Sequence, residues 1–164
     1  MDSKQISQIY KELSEWQPFT KKSMKSAPKE PGIYIFRMAQ GKRISRLQGK
    51  SDITYIGSTE SKRGLKSRLQ QYLRPGSTQY TNKRIHELAK KYDMEIAWCP
   101  CEEASNLEHQ LLRQYLKNHD ELPPLNRAGK KLLKKGVTDT LGLIDSVILE
   151  HRDKDGNLIE RTET

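Results

Sequence analysis

Cysteine, long apolar runs and, across one stretch, acidic residues are the scarce features of this 164-residue chain, and each scarcity excludes something. Its two cysteines, Cys99 and Cys101, stand two apart in an apolar, strand-like run. Neighbours on the same face of a strand do not readily close a disulfide, so reduced thiols are expected. A zinc site would need a second ligand pair at suitable spacing, and His86, His109, His119 and His151 do not supply one. No apolar stretch approaches the roughly 18 residues of a membrane span. The opening Met1-Asp2-Ser3-Lys4-Gln5 lacks the apolar block of a signal peptide, which makes the cytoplasm the expected compartment and a membrane partner unexpected. At 19.0 kDa, with 34% hydrophobic and 31% charged residues, the chain suits one globular domain with short appendages.

Acids are missing where bases are dense. Residues 62–92 hold nine Lys/Arg (Lys62, Arg63, Lys66, Arg68, Arg74, Lys83, Arg84, Lys90 and Lys91) against the single acid Glu87, which accounts for most of the net charge of +9. So local an excess is the footprint of a polyanion partner, DNA above all; the plainer alternative is a solvated helix face.

Hydrophobic periodicity sets the expected order of elements. Ile6, Tyr10 and Leu13 predict an amphipathic helix over residues 3–15, followed by a Lys/Ser/Pro-rich connection at 20–31. Residues 32–38 are apolar on both alternating faces, as in a strand covered from both sides. A polar, basic loop at 40–52 leads to a second strand at 53–57. Helices are expected at about 64–74 and 81–92, the second capped by Thr81 or Asn82. A third strand over 94–101 and a helix over 102–118, stopped before Pro123-Pro124, complete the main domain. Beyond it come a basic patch at 130–135 and a terminal β-hairpin turning at Asp155-Gly156-Asn157. Residues 140–164 carry six acids against three bases, which argues against DNA contact along that tail. The division expected is an N-terminal helix and linker (1–30), a main domain (31–128) and a C-terminal appendage (129–164).

Two helical positions carry a physical argument of their own. Glu108 falls within the stripe of Ala104, Leu111, Leu112 and Tyr115, where a carboxylate is costly unless it is paired or metal-bound. A salt bridge to Arg68 is its structural alternative. Arg68 lies at the edge of the stripe of Leu65, Leu69 and Tyr72, so its stem can pack while its guanidinium reaches a cleft.

Five short motifs follow in order: Pro31-Gly32-Ile33-Tyr34, Thr54-Tyr55-Ile56-Gly57, Lys66-Ser67-Arg68-Leu69, Asn106-Leu107-Glu108 and Pro124-Leu125-Asn126. Together they resemble the GIY-YIG nuclease superfamily of homing, repair and restriction endonucleases, over about residues 31–126. One triplet is weak evidence and five ordered elements are strong. The resemblance implies an α/β (α+β) domain, a small, mainly antiparallel three-stranded sheet flanked by helices. It implies a DNA endonuclease using one Mg²⁺ (or Mn²⁺) per site, with Glu108 as the metal ligand and Arg68 on the scissile phosphate. Tyr34 and Tyr55 would converge on the reaction centre, one of them orienting or deprotonating the attacking water; which one is open. A phenol with a pKa of ~10 needs a neighbouring cation or metal to act as a base at neutral pH. Tyr72 would orient the water or leaving group, and Asn126 would tie the strand loops together.

The chain departs from the family pattern in a loop about twice as long between Tyr34 and Tyr55, a longer step from Tyr55 to Arg68, and Ser58 where repair-type members have lysine. Candidate DNA contacts are Lys42, Arg43 and Arg46 in the long loop, Lys62 and Lys66 near Arg68, and Lys83 and Arg84, with His86 as a surface or phosphate-contacting histidine. One such site cuts one strand, so cutting both would take a homodimer or two successive nicks. The competing readings are a non-catalytic DNA- or RNA-binding module of the same fold, and a basic assembly protein acting through its tail.

Overall fold

The computed structural model describes residues 3–126. The basic patch and hairpin expected at 129–164 lie outside the described residues. The chain is α+β, and its elements run α1 (Ser3–Glu12), β1 (Gln17–Pro18), α2 (Lys21–Ser26), β2 (Gly32–Met38), β3 (Ile44–Ser45), β4 (Lys50–Ser51), β5 (Ile53–Thr59), α3 (Gly64–Leu73), α4 (Tyr80–Lys91), β6 (Met94–Pro100) and α5 (Ala104–His119).

The sheet has four strands, in the order β1-β6-β2-β5, where three were expected. All its pairings are antiparallel. The extra strand is two residues long and contains Pro18, which an edge position tolerates because no ladder donor is needed there. Too short for a period, it is held by its register with Ile96 and Glu95 and by the Phe19 amide bonding to the Met94 carbonyl at 2.9 Å. Two other expected connections also carry structure. The 20–31 segment contains α2, capped by the Thr20 hydroxyl, which accepts from the Ser23 amide and seats Met24 in the core. The long loop contains the ribbon of β3 and β4 around Gly49, whose φ of 71° suits a residue without Cβ.

In α1 Ile9 is buried, and Leu13 just beyond it is half-buried, whereas Tyr10, expected on the packed stripe, is 40% exposed. Neither Thr81 nor Asn82 caps α4; Gln79 precedes it, and its amide oxygen accepts from the Gly76 amide and the Asn82 side chain. Cys99 is buried, Cys101 is half-buried, and both are free thiols.

β2 runs through the centre of the sheet, and its alternation sorts the core into two layers. Tyr34 and Phe36 point to one face, opposite Gly57 and Tyr55 on β5 and Trp98 and Ile96 on β6. That face packs on Met24 of α2, Leu65, Leu69 and Tyr72 of α3, and Ile85 of α4. Ile33, Ile35 and Ile56 point to the other face, and α5 lies against β2 and β5. No helix among the described residues is long and apolar enough to cross a membrane.

Candidate active site

Three tyrosines meet above β2 and β5. Tyr34 and Tyr72 are fully buried, their hydroxyls 2.7 Å apart, and the Tyr55 ring centroid lies 6.3 Å from each of theirs. Gly57 makes this convergence possible. It faces Tyr34 across the strand pair, and a Cβ there would come within 2.7 Å of the Tyr34 ring and hydroxyl and 2.6 Å of the Tyr55 ring. The glycine of the Tyr55-Ile56-Gly57 triplet is thus the space into which two phenols lean.

Arg68 reaches the same cluster from α3. Its Nε–H donates to the Tyr34 hydroxyl at 3.0 Å and its Nη1 to Gln71 at 2.7 Å, with the guanidinium 5.1 Å from the Tyr72 ring centre. That leaves donors of the planar fork for Tyr55 and for an open cleft of about 300 Å³ lined by Thr59, Ser61, Arg63, Ser67, Arg68 and Gln71. Burial works against the arginine's charge, but the three phenol oxygens around it outweigh that penalty and raise its pKa above the ordinary value. Burial likewise pushes up the pKa of Tyr34, Tyr55 and Tyr72, and the Arg68 charge opposes the rise in all three. Tyr34 and Tyr72 are closed off, whereas Tyr55 keeps partial access to solvent.

Glu108 is half-buried on α5, and burial raises its pKa above the usual carboxylate value. Its partner is Ser58, whose hydroxyl donates to the Glu108 carboxylate. No ion pair joins Glu108 to Arg68; the arginine acts on it through space, lowering its pKa, while Glu108 raises that of Tyr55. The acid, the phenol and the guanidinium therefore share one electrostatic neighbourhood. A partly desolvated carboxylate beside one hydroxyl suits Mg²⁺, which keeps several waters and takes one or two carboxylates plus substrate oxygens. Among the described residues no group of three His, Cys, Asp or Glu side chains could form an all-protein cage. Comparison with family models, with curated proteins and with solved structures returned no match.

Asn126 closes the free edge of β5. Its Oδ1 accepts from the Ile56 amide at 2.9 Å and its Nδ2 donates to the Ile56 carbonyl at 2.8 Å, so one side-chain amide imitates a strand residue. The Leu125 amide adds a bond to the Thr54 carbonyl.

The basic residues divide. Lys42, Arg43, Lys62 and Arg84 are exposed, and Lys66 is half-buried and lines a second hollow rather than the Arg68 cleft. Lys83 is drawn back onto the Ser77 carbonyl and lies over the Tyr80 ring. Arg46 does not belong with them. Its side chain is 4% exposed, paired with Glu121 at 2.7 Å and bonded to the Leu122 carbonyl, so it anchors the long loop to the end of α5 instead of reaching outward. His86 is half-buried, with Nδ1 at 3.0 Å from the Tyr72 carbonyl; against a carbonyl it must be the donor. Sequence reasoning missed Ser58 as the partner of Glu108, Gln71 as that of Arg68, and Glu60, whose carboxylate accepts from the Ser105 amide at the start of α5.

Proposed function

We propose that this chain is a metal-dependent endonuclease that hydrolyses DNA phosphodiester bonds. The observation that carries this reading is that Arg68, Tyr34, Tyr55, Tyr72 and Glu108, spread over four elements, interact with one another beside an open cleft. Structural needs alone would not gather a charged fork, three phenols and a half-buried acid there, at the desolvation cost that raises four of their pKa values.

In the proposed reaction Arg68 holds the non-bridging oxygens of the scissile phosphate with the donors not taken by Tyr34 and Gln71. Tyr34 and Tyr72 form the rigid floor: their mutual hydrogen bond and the Arg68 bond fix the guanidinium. Tyr55, partly open to solvent, is the phenol that orients the attacking water. Glu108 and Ser58 would hold Mg²⁺ or Mn²⁺, whose charge would stabilise the developing negative charge on the phosphate. Water oriented by Tyr55 adds to phosphorus and gives up a proton to solvent as the P–O bond to the leaving sugar oxygen breaks, and that oxygen takes up a proton from solvent.

A supercoiled-plasmid nicking assay in Mg²⁺ tests the reading. The wild type is expected to nick, and Arg68→Ala or Glu108→Ala to lose about 10²–10³-fold in rate, the usual cost of removing one transition-state donor. Equal cutting by either variant would refute the site. Salt-sensitive DNA binding with no metal-dependent cutting would favour the non-catalytic binding module.

A further inference from the structure

A second hollow adjoins the Arg68 cleft. Of about 360 Å³, it is lined by Lys29, Arg63, Lys66, Ser67 and Gln70. Arg63 and Ser67 line both hollows, so the two meet at the start of α3. Three cations face this one hollow, and among the described residues none of them forms an ion pair. The positive potential comes from the side chains. The amides of Leu65 and Lys66 at the start of α3 are already taken by the carbonyls of Glu30 and Pro28, at 2.9 Å each.

Those bonds also fix the backbone on either side of Lys29. Gly64, with φ of 67°, lets the 28–30 segment cross directly over the helix start, where a Cβ would come within 2.2 Å of the Lys29 carbonyl carbon. The backbone of a lysine 34 positions before Arg63 is thereby held at the start of α3, where its side chain lines the same hollow as Arg63 and Lys66.

We infer that this hollow is a second phosphate subsite, in which Lys29, Arg63 and Lys66 hold a backbone phosphate of the same DNA strand whose scissile phosphate lies on Arg68. The inference rests on the nuclease reading and deepens it. The two hollows adjoin at the start of a helix about 10 Å across, a span that about three nucleotides of B-form strand cover at roughly 3.4 Å rise each. The chemistry suits a phosphodiester: one negative charge, acceptors for two or three N–H donors, and a hydroxyl and an amide from Ser67 and Gln70 at the rim. Lys29, Arg63 and Lys66 are positioning residues and do not touch the reacting atoms.

The test uses the full chain with Lys29→Gln, Arg63→Gln and Lys66→Gln combined, all of them at exposed or half-buried positions whose replacement leaves the core intact. Lys11→Gln and Lys117→Gln on distant helices serve as the control. On a DNA duplex with a mapped cut site, the triple variant is expected to show KM raised about tenfold or more with kcat within about twofold. The slope of log binding constant against log salt should become shallower by about 0.9 for each phosphate that the variant no longer neutralises. Replacing single phosphates by neutral methylphosphonate within three nucleotides of the cut should weaken wild-type binding about tenfold at one position and leave the triple variant unmoved there. If the wild type cuts and the triple variant matches it in KM, salt slope and methylphosphonate response, the subsite is wrong and the nuclease reading stands. If the wild type binds through these three side chains but never cuts, the hollow is a DNA-phosphate site, and the nuclease reading falls together with the pairing of this site to a scissile phosphate. If the wild type neither binds nor cuts, both are overturned.

Discussion

At the scale of one residue, the metal-binding role proposed for Glu108 pulls against stability. Its folded-state pKa is raised, chiefly by burial, so the folded chain holds this proton to higher pH than the unfolded chain does. The stability that this proton contributes is full below the ordinary carboxylate pKa and is lost as pH rises through the raised folded value. Glu108→Gln removes the titration. Thermal melts without divalent metal should therefore show the variant more stable than the wild type at neutral pH, with the gap closing in acid. Mg²⁺ should raise the wild-type Tm and leave that of the variant unchanged. A wild type that melts higher than the variant at every pH would mean that Glu108 is a structural anchor. Gly57 carries the opposite risk. In Gly57→Ala the new methyl meets the rings of Tyr34 and Tyr55, which cannot both stay in place. Overpacking of this kind costs about 1–3 kcal/mol. Displacing the phenols by about 1 Å should reduce nicking by roughly 10²-fold, and nicking and melting of the variant together check both effects.

Among the elements, β5 matters most, because it is an edge strand that carries Tyr55, Gly57 and Ser58. An unpaired edge frays, and the Asn126 side chain prevents this by bonding both the amide and the carbonyl of Ile56. Asn126→Ala is expected to cost about 2 kcal/mol, lowering Tm by roughly 4–8 °C, and to speed hydrogen exchange at the Ile56 amide in particular. Unchanged exchange there would show that the edge holds itself. The same strand marks how far the sequence could be read. β2, β5 and β6 were legible because runs of seven residues have a hydrophobic pattern, and α3 to α5 because 10–16 residues show a stripe. β1 and the β3–β4 ribbon were not, since strands of two residues have no period and exist only through their partners. Arg46 looked like an outward base for the same reason. Its acid, Glu121, is 75 positions away and no local pattern links them. Arg68 and Glu108 could be singled out as charges set in or beside apolar stripes. Ser58 could not, because its role comes from pairing across space to a helix that begins 46 residues later.

Over the whole molecule, charge and site number together decide how DNA would be cut. The exposed bases Lys29, Arg63, Lys62 and Arg84 lie on or near α3 and α4, and the described chain offers one cluster of the Arg68 and Glu108 kind. One cluster can attack one phosphate, and the strands of a duplex run in opposite directions, so the second strand presents its phosphate in the wrong sense to the same fork. Under the proposed reaction a single protomer would have to release, turn and rebind before cutting again. Nicked circles should therefore accumulate before linear molecules when supercoiled plasmid is treated in Mg²⁺ at low protein concentration. The conversion of nicked to linear should follow a separate, slower phase. Raising the salt should slow both phases, since each begins with the same phosphate contacts. Linear product appearing at once, with a rate that rises as the square of protein concentration, would instead show two protomers placing two Arg68 forks on opposite strands.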